Sequence, residues 1–313
     1  MTRTLSGVLP IVHTPFTADD AIDLVSLRRE IDWAFAVGAD GVGTGMVSEI
    51  LRLTADERRH LTETIVEFGA GRGPVFAAVS AESSEQAVAH AVAAARAGCA
   101  AVMAAPPSAT RLSSEALRDY YRALADGVSL PVIVQDASGY IGQAIPLSVS
   151  VDLLESYGED KILFKPEGSP IGSNLSALRD ATGRRAKIFD GSGGVLLVDS
   201  FRRGIVGTMP GMDLLDGIVA LWRALEAGDE ESIYRLSFPI AGIVTLQMQA
   251  GLDGFLAIEK YLLVERGLFD SERRRRPYSW DLDEETAREV DRLVGHLRKA
   301  MAPLSPGGER GRG

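Results

Sequence analysis

Only five lysines occur in the 313-residue chain, at 161, 165, 187, 260 and 299, and Lys165 closes the apolar run 162–165 (ILFK). An ammonium at the inner end of such a strand is stripped of water, which lowers its pKa and frees the amine as a nucleophile. A lysine of that kind can form an imine with a carbonyl substrate. The competing reading is a head that escapes to solvent past the strand end, as is expected of Lys161 at the other end of the run. Glu167 and Asp136 place carboxylates at adjacent strand ends, either as acid and base or as acceptors for loop amides. Further candidates end other short apolar runs: His13 and Thr14; Gly45, Met46, Val47, Ser48 and Glu49; Ser80; Pro106 and Pro107; Gln135; Asp190, Ser192 and Gly193; Thr208 and Met209. The glycines of 41–45 have the wrong spacing for a dinucleotide loop. Those of 191–194 either offer backbone N–H groups to an anion or only permit a tight turn.

Positioning these residues falls to eight β-like runs, at 8–12, 41–44, 75–79, 100–104, 132–135, 162–165, 187–189 and 205–207. Amphipathic stretches alternate with them; Leu24, Leu27, Ile31 and Phe35 fall at helical spacing. Thr54 to Glu57 and Ser83 to Gln86 read as helix-starting capping boxes. A strand–helix unit recurring at roughly 30 residues predicts parallel strands with crossover helices. Eight units predict a closed (β/α)8 barrel, whose active site lies at the C-terminal strand ends. The barrel is expected to span 1–227, with its last helix at 213–227. A helical extension follows over 228–302, with helices at 228–251, 255–266 and 283–301, and then a disordered tail at 303–313. The run Arg273 to Arg276 reads as a solvated face, or as an intersubunit ion-pair surface.

The formal charge of −10 and pI near 5.0 argue against nucleic acid or an anionic membrane as partner. A single cysteine, Cys99, excludes an internal disulfide framework, and the four scattered histidines form no metal-ligand pair. No apolar run reaches membrane-spanning length and no signal-peptide layout opens the chain, so the expected address is the cytoplasm. No cofactor and no metal is called for.

The segments GVLPIVHTPF (7–16), GTGMVSEILRLTADER (43–58), LPVIVQDASG (130–139), ILFKPEG (162–168) and IFDGSGG…RRGIVGTMPG (188–211) occur in a familiar order. Together they resemble the dihydrodipicolinate synthase / N-acetylneuraminate lyase family over nearly the whole chain. The resemblance implies a (β/α)8 lyase that holds a 2-oxo acid as a Schiff base on Lys165, built as a dimer or tetramer. It also shows departures. The family's carboxylate-binding loop, Gly-(Thr/Ser)-Thr-Gly-Glu, stands here as Gly45-Met46-Val47-Ser48-Glu49, leaving backbone N–H groups near Val47 and the Ser48 hydroxyl as donors. The strand-five tyrosine that relays protons is Gln135, which cannot titrate. The family's following arginine aligns with Tyr140, and the tyrosine given across the subunit interface aligns near Ser108 or Ala109. The synthase proton relay is therefore missing.

Ser-Glu after strand two, Val-Gln-Asp-Ala on strand five and Phe-Lys-x-Glu on strand six are similar to L-2-keto-3-deoxyarabonate dehydratase-like members. The expected activity is dehydration of a 2-keto-3-deoxy sugar acid through the lysine imine. Retro-aldol cleavage to pyruvate plus an aldehyde, 4-hydroxy-tetrahydrodipicolinate synthase activity and a catalytically silent sugar-acid-binding barrel are the alternatives. Lys165, Gln135, Glu167 and Asp136 are the expected catalytic residues. Met46, Val47, Ser48, Glu49, Thr14, Asp190, Ser192, Gly193 and Thr208 are the expected substrate contacts. The expected partner is a small 2-oxo acid, within a homo-oligomer.

Overall fold

The computed structural model describes residues 5–302; the tail expected to be disordered lies outside the described residues. Strands β1 (Gly7–Val8), β2 (Val42–Gly43), β3 (Val75–Ala78) and β4 (Ala101–Ala104) are followed by β5 (Val132–Asp136), β6 (Ile162–Pro166), β7 (Phe189–Asp190) and β8 (Gly207–Thr208). All neighbouring pairs are parallel. β2 to β6 form one continuous set and β1, β8 and β7 another. Parallel bridges from Ile11 to Gly43 and from Phe164 to Ile188 join the sets at both seams, so the barrel closes.

Alternation along each strand sorts side chains between two apolar layers. Leu9, Ile11, Phe76, Met103, Ile133, Leu163 and Phe189 fill the interior. Val102, Val134 and Phe164 pack outward beneath the helices. These are α1 (Leu24–Val37), α2 (Ala55–Gly69), α3 (Ser84–Ala97) and α4 (Ser114–Gly127), then α5 (Leu147–Tyr157), α6 (Ile171–Ala181), α7 (Leu197–Arg202) and α8 (Leu215–Ala227). The α2 start is a reciprocal box between Thr54 and Glu57, while Ser83 caps α3 through the Gln86 amide. Each such cap is worth about 1 kcal/mol.

After α8 come α9 (Glu230–Met248), α10 (Gly251–Glu265) and α11 (Glu284–Met301). α9 packs on α8, α10 and α11, and α10 reaches the 3-10 turn Met46–Ser48 after β2. The arginine run is a solvated face only at Arg273 and Arg276. Arg274 is buried and holds the Trp280 carbonyl and the Asp281 carboxylate, and Arg275 grips Glu57 of α2. Only local geometry, invisible in a charge run, turns these side chains inward. Lys161 likewise does not escape to solvent, since its Nζ ties to the carbonyls of Val128 and Leu130.

Lys260 of α10 is fully buried. Its Nζ donates to the Glu49 carboxylate, to the Thr14 carbonyl at 2.8 Å and to the Arg273 carbonyl at 2.7 Å, and lies over the Phe16 ring. All three ammonium protons are thus matched. Replacing it by methionine leaves the buried Glu49 without the cation on its Oε1, and Lys260→Met is expected to cost about 3–5 kcal/mol of stability in a urea titration.

Candidate active site

β5 and β6 run in register, with Gln135 beside Lys165 and both side chains turned into the barrel mouth. Lys165 is only 4% exposed, and its Nζ lies 3.3 Å from Glu167 Oε1. Gln135 Nε2 donates to Glu167 Oε2 at 2.6 Å and to the Tyr140 hydroxyl at 3.3 Å. The Tyr140 hydroxyl donates to Glu167 Oε1 at 2.9 Å. Three side chains from two strand ends and one loop therefore converge on one carboxylate. Burial pushes the Glu167 carboxyl above its ordinary range, against the opposing pull of Lys165, Gln135 and Tyr140. Burial, and then the neighbouring Glu167, holds the Tyr140 phenol far above its own range. Gln135 Oε1 is buried and accepts no hydrogen bond among the described residues.

Lys165, Glu167 and Tyr140 line one pocket together with Met46, Val47 and Gly193. The backbone of Gly191 passes so close to Glu167 that a Cβ there would lie 2.5 Å from its side chain, while Gly193 turns with φ +67°. Those glycines bring the β7 loop against the carboxylate. Leu252, Phe255 and Glu259 of α10 complete the wall, so the C-terminal helices do more than pack on the barrel.

Several sequence candidates are consumed by their own neighbours, which corrects their expected roles. Asp136 faces outward, its oxygens accepting from the Ser138 and Ile145 amides at 3.0 and 2.9 Å, which leaves it a loop anchor and not a proton carrier. The Ser48 hydroxyl, expected as a substrate donor, gives its proton to the Val12 carbonyl and accepts from Gly45 N. Glu49 is buried against Lys260 and the Arg275 amide, and the Thr14 hydroxyl holds the Ser48 carbonyl at 2.6 Å. Asp190 gathers the hydroxyls of Ser192, Ser200 and Thr208 beneath the pocket floor. These groups shape the site from behind.

The sequence gives no signal for a second cluster. His13, wholly buried, bonds Glu30 Oε1 through Nδ1 at 3.2 Å and Glu259 Oε2 through Nε2 at 2.8 Å. Burial lowers the His13 pKa, but the two carboxylates outweigh it and lift the value to about 10. Asp213, held by Gln247 Nε2 at 2.7 Å, is raised to about 7 by burial and by Glu259.

With this geometry in view, residues 4–297 match the model of the dihydrodipicolinate synthetase family. The L-2-keto-3-deoxyarabonate dehydratase of Azospirillum brasilense is 30% identical over 87% of this chain and 88% of its own. The 4-hydroxy-tetrahydrodipicolinate synthase of Thiobacillus denitrificans is 32% identical over 60% of this chain and 58% of its own. The crystal structure of a dihydrodipicolinate synthetase homologue from Pseudomonas aeruginosa superposes with a TM-score of 0.86 at 23% identity, covering 94% of this chain and all of that one.

The His13 cluster makes stability depend on pH. A histidine raised from 6.5 to about 10 on folding contributes stability that is full below pH 6.5 and lost as pH rises through 10. Unfolding free energy, measured by urea titration from pH 6 to 10, is expected to fall with pH. His13→Gln is expected to start lower and lose most of that slope.

Proposed function

The chain belongs to the dihydrodipicolinate synthetase family of class I lyases, and on that footing we propose that it dehydrates a 2-keto-3-deoxy sugar acid through an imine on Lys165. The observation that carries this reading is the Glu167 carboxylate 3.3 Å from the lysine nitrogen. It supplies a proton carrier in a site whose strand-five position is an amide. Similarity to the Azospirillum dehydratase over most of both chains supports the substrate class.

In this reading Lys165 Nζ gives a proton to Glu167 and attacks the C2 ketone, and Glu167 returns that proton to the carbinolamine oxygen, which leaves as water. The iminium draws electrons from C3, and Glu167 removes a C3 proton to give the enamine. Electrons return from the enamine to form the C3–C4 double bond while the C4 hydroxyl departs, taking the proton from Glu167 to leave as water. Hydrolysis of the imine frees Lys165. Tyr140, whose hydroxyl touches Glu167, passes protons between that carboxyl and the pocket. Gln135 orients both groups, and its free Oε1 accepts from a substrate hydroxyl. Backbone N–H groups near Val47 receive the substrate carboxylate. The chain acts as a homo-oligomer in the cytoplasm, on a small molecule. Among the described residues no helix is long and apolar enough to cross a membrane.

Borohydride added with pyruvate or 2-keto-3-deoxyarabonate is expected to fix the ligand's reduced mass on the peptide carrying Lys165. Lys165→Ala should form no adduct and show no turnover; labelling at another lysine would move the site. Glu167→Gln should lower kcat by about 10²–10⁴ and Tyr140→Phe by less, with water and not an aldehyde as the co-product. Release of pyruvate plus an aldehyde would assign retro-aldol cleavage instead.

A further inference from the structure

Beyond the lysine end, the pocket wall is almost wholly apolar: Ile11, Met46, Met209, Leu252 and Phe255. One charged side chain interrupts it, Glu259 of α10. Its Oε2 is fixed by His13, whose ring is held in turn by Glu30. Its Oε1 receives no hydrogen bond among the described residues, and neither does Asp213 Oδ1. Both free oxygens crowd the Cα of Gly211. A Cβ built there would lie 2.7 Å from Glu259 Oε1 and 2.8 Å from Asp213 Oδ1, so a side chain at 211 would fill the space that these carboxylates share.

A carboxylate clamped on one oxygen and open on the other is built to accept from a donor. An apolar tail leaves the acceptor unpaired at a desolvation cost, and an anionic tail meets the Glu259 carboxylate in a water-poor wall. A hydroxyl meets neither penalty. We infer that Glu259, set beside Asp213 at Gly211, is the subsite for the substrate's hydroxylated tail and selects uncharged polyol tails over phosphorylated or carboxylated ones. The inference rests on the lysine-imine reading and adds to it a specificity element brought by the C-terminal helices.

The test is borohydride trapping as a function of ligand concentration. The probes are pyruvate, 2-keto-3-deoxyhexonate and the 6-phosphate of that hexonate. The wild-type protein is expected to trap the unphosphorylated hexonate at a half-saturating concentration at least about tenfold below that of the phosphate ester. Glu259→Gln should raise half-saturation for the unphosphorylated acid about tenfold or more, the loss expected for one charge-assisted hydrogen bond. It should narrow the gap to the ester and shift half-saturation for pyruvate by less than for the hexonate, because pyruvate has no tail. Equal trapping of the two hexonates by the wild type would overturn the inference. So would an unchanged hexonate half-saturation in a Glu259→Gln protein that still traps pyruvate. If that variant does not fold, the wild-type comparison of the two hexonates still decides. Failure of the wild type to trap any of the three acids would remove the imine reading and this subsite with it, an outcome distinct from both others.

Discussion

Two consecutive residues of the loop after β1 lock onto two consecutive residues of α10, and the mouth of the barrel depends on that junction. His13 bonds Glu259, and the carbonyl of Thr14 accepts from Lys260. The partners are 246 residues apart in the chain, and each contact is buried. Charges withdrawn from water cost several kcal/mol unless matched, so neither partner can leave without stranding the other. The junction fixes the height of α10 over the strand ends. It thereby sets where Leu252 and Phe255 stand in the pocket wall and how the Met46–Ser48 turn is pressed into place.

The same accounting separates the two buried lysines. Lys260 spends every proton on a carboxylate and two carbonyls, so its nitrogen is a closed structural cation. Lys165 has one carboxylate at 3.3 Å and otherwise faces a cavity. An amine becomes a nucleophile only by giving up a proton, and Lys165 has beside it an acceptor that the fold has made a stronger base through burial, with room for a ketone. Burial alone makes an ammonium costly; incomplete pairing beside a cavity makes it available.

That distinction also explains what was legible in the sequence. The barrel was legible because period-two apolar runs and period-3.6 faces alternate eight times, and because burial on both faces of each strand leaves so few alternatives. That Lys165, Glu167 and Gln135 would meet at one end of the barrel was legible because strand-end side chains gather there. Ser48, Glu49, Asp136 and Thr14 carry suitable groups at suitable places, yet the fold uses each locally, and residue type does not reveal whether a proton or lone pair is already spent. Tyr140 lies five residues past Gln135, on a loop whose path no periodicity describes. Glu259 sits on a helix that reads only as amphipathic packing, and its partner His13 reads as an isolated histidine.

The place of Gln135 follows from that loop. With a phenol delivered by Tyr140, a second phenol on β5 would compete for the same carboxylate, whereas an amide complements it. Glu167 demands a donor on Oε2, which fixes the Gln135 amide with Nε2 toward the carboxylate and Oε1 away from it. Its other oxygen is then left to Tyr140 and Lys165 together. A group that cannot ionise thus holds the orientation of one that can. In the proposed mechanism proton transfer runs on a line from the lysine through Glu167 to the phenol, and a single amide acceptor stays free for the substrate. Such a division of labour needs β5 and β6 in register, because a slip of one residue would turn Gln135 or Lys165 out of the barrel and leave Glu167 buried without its partners.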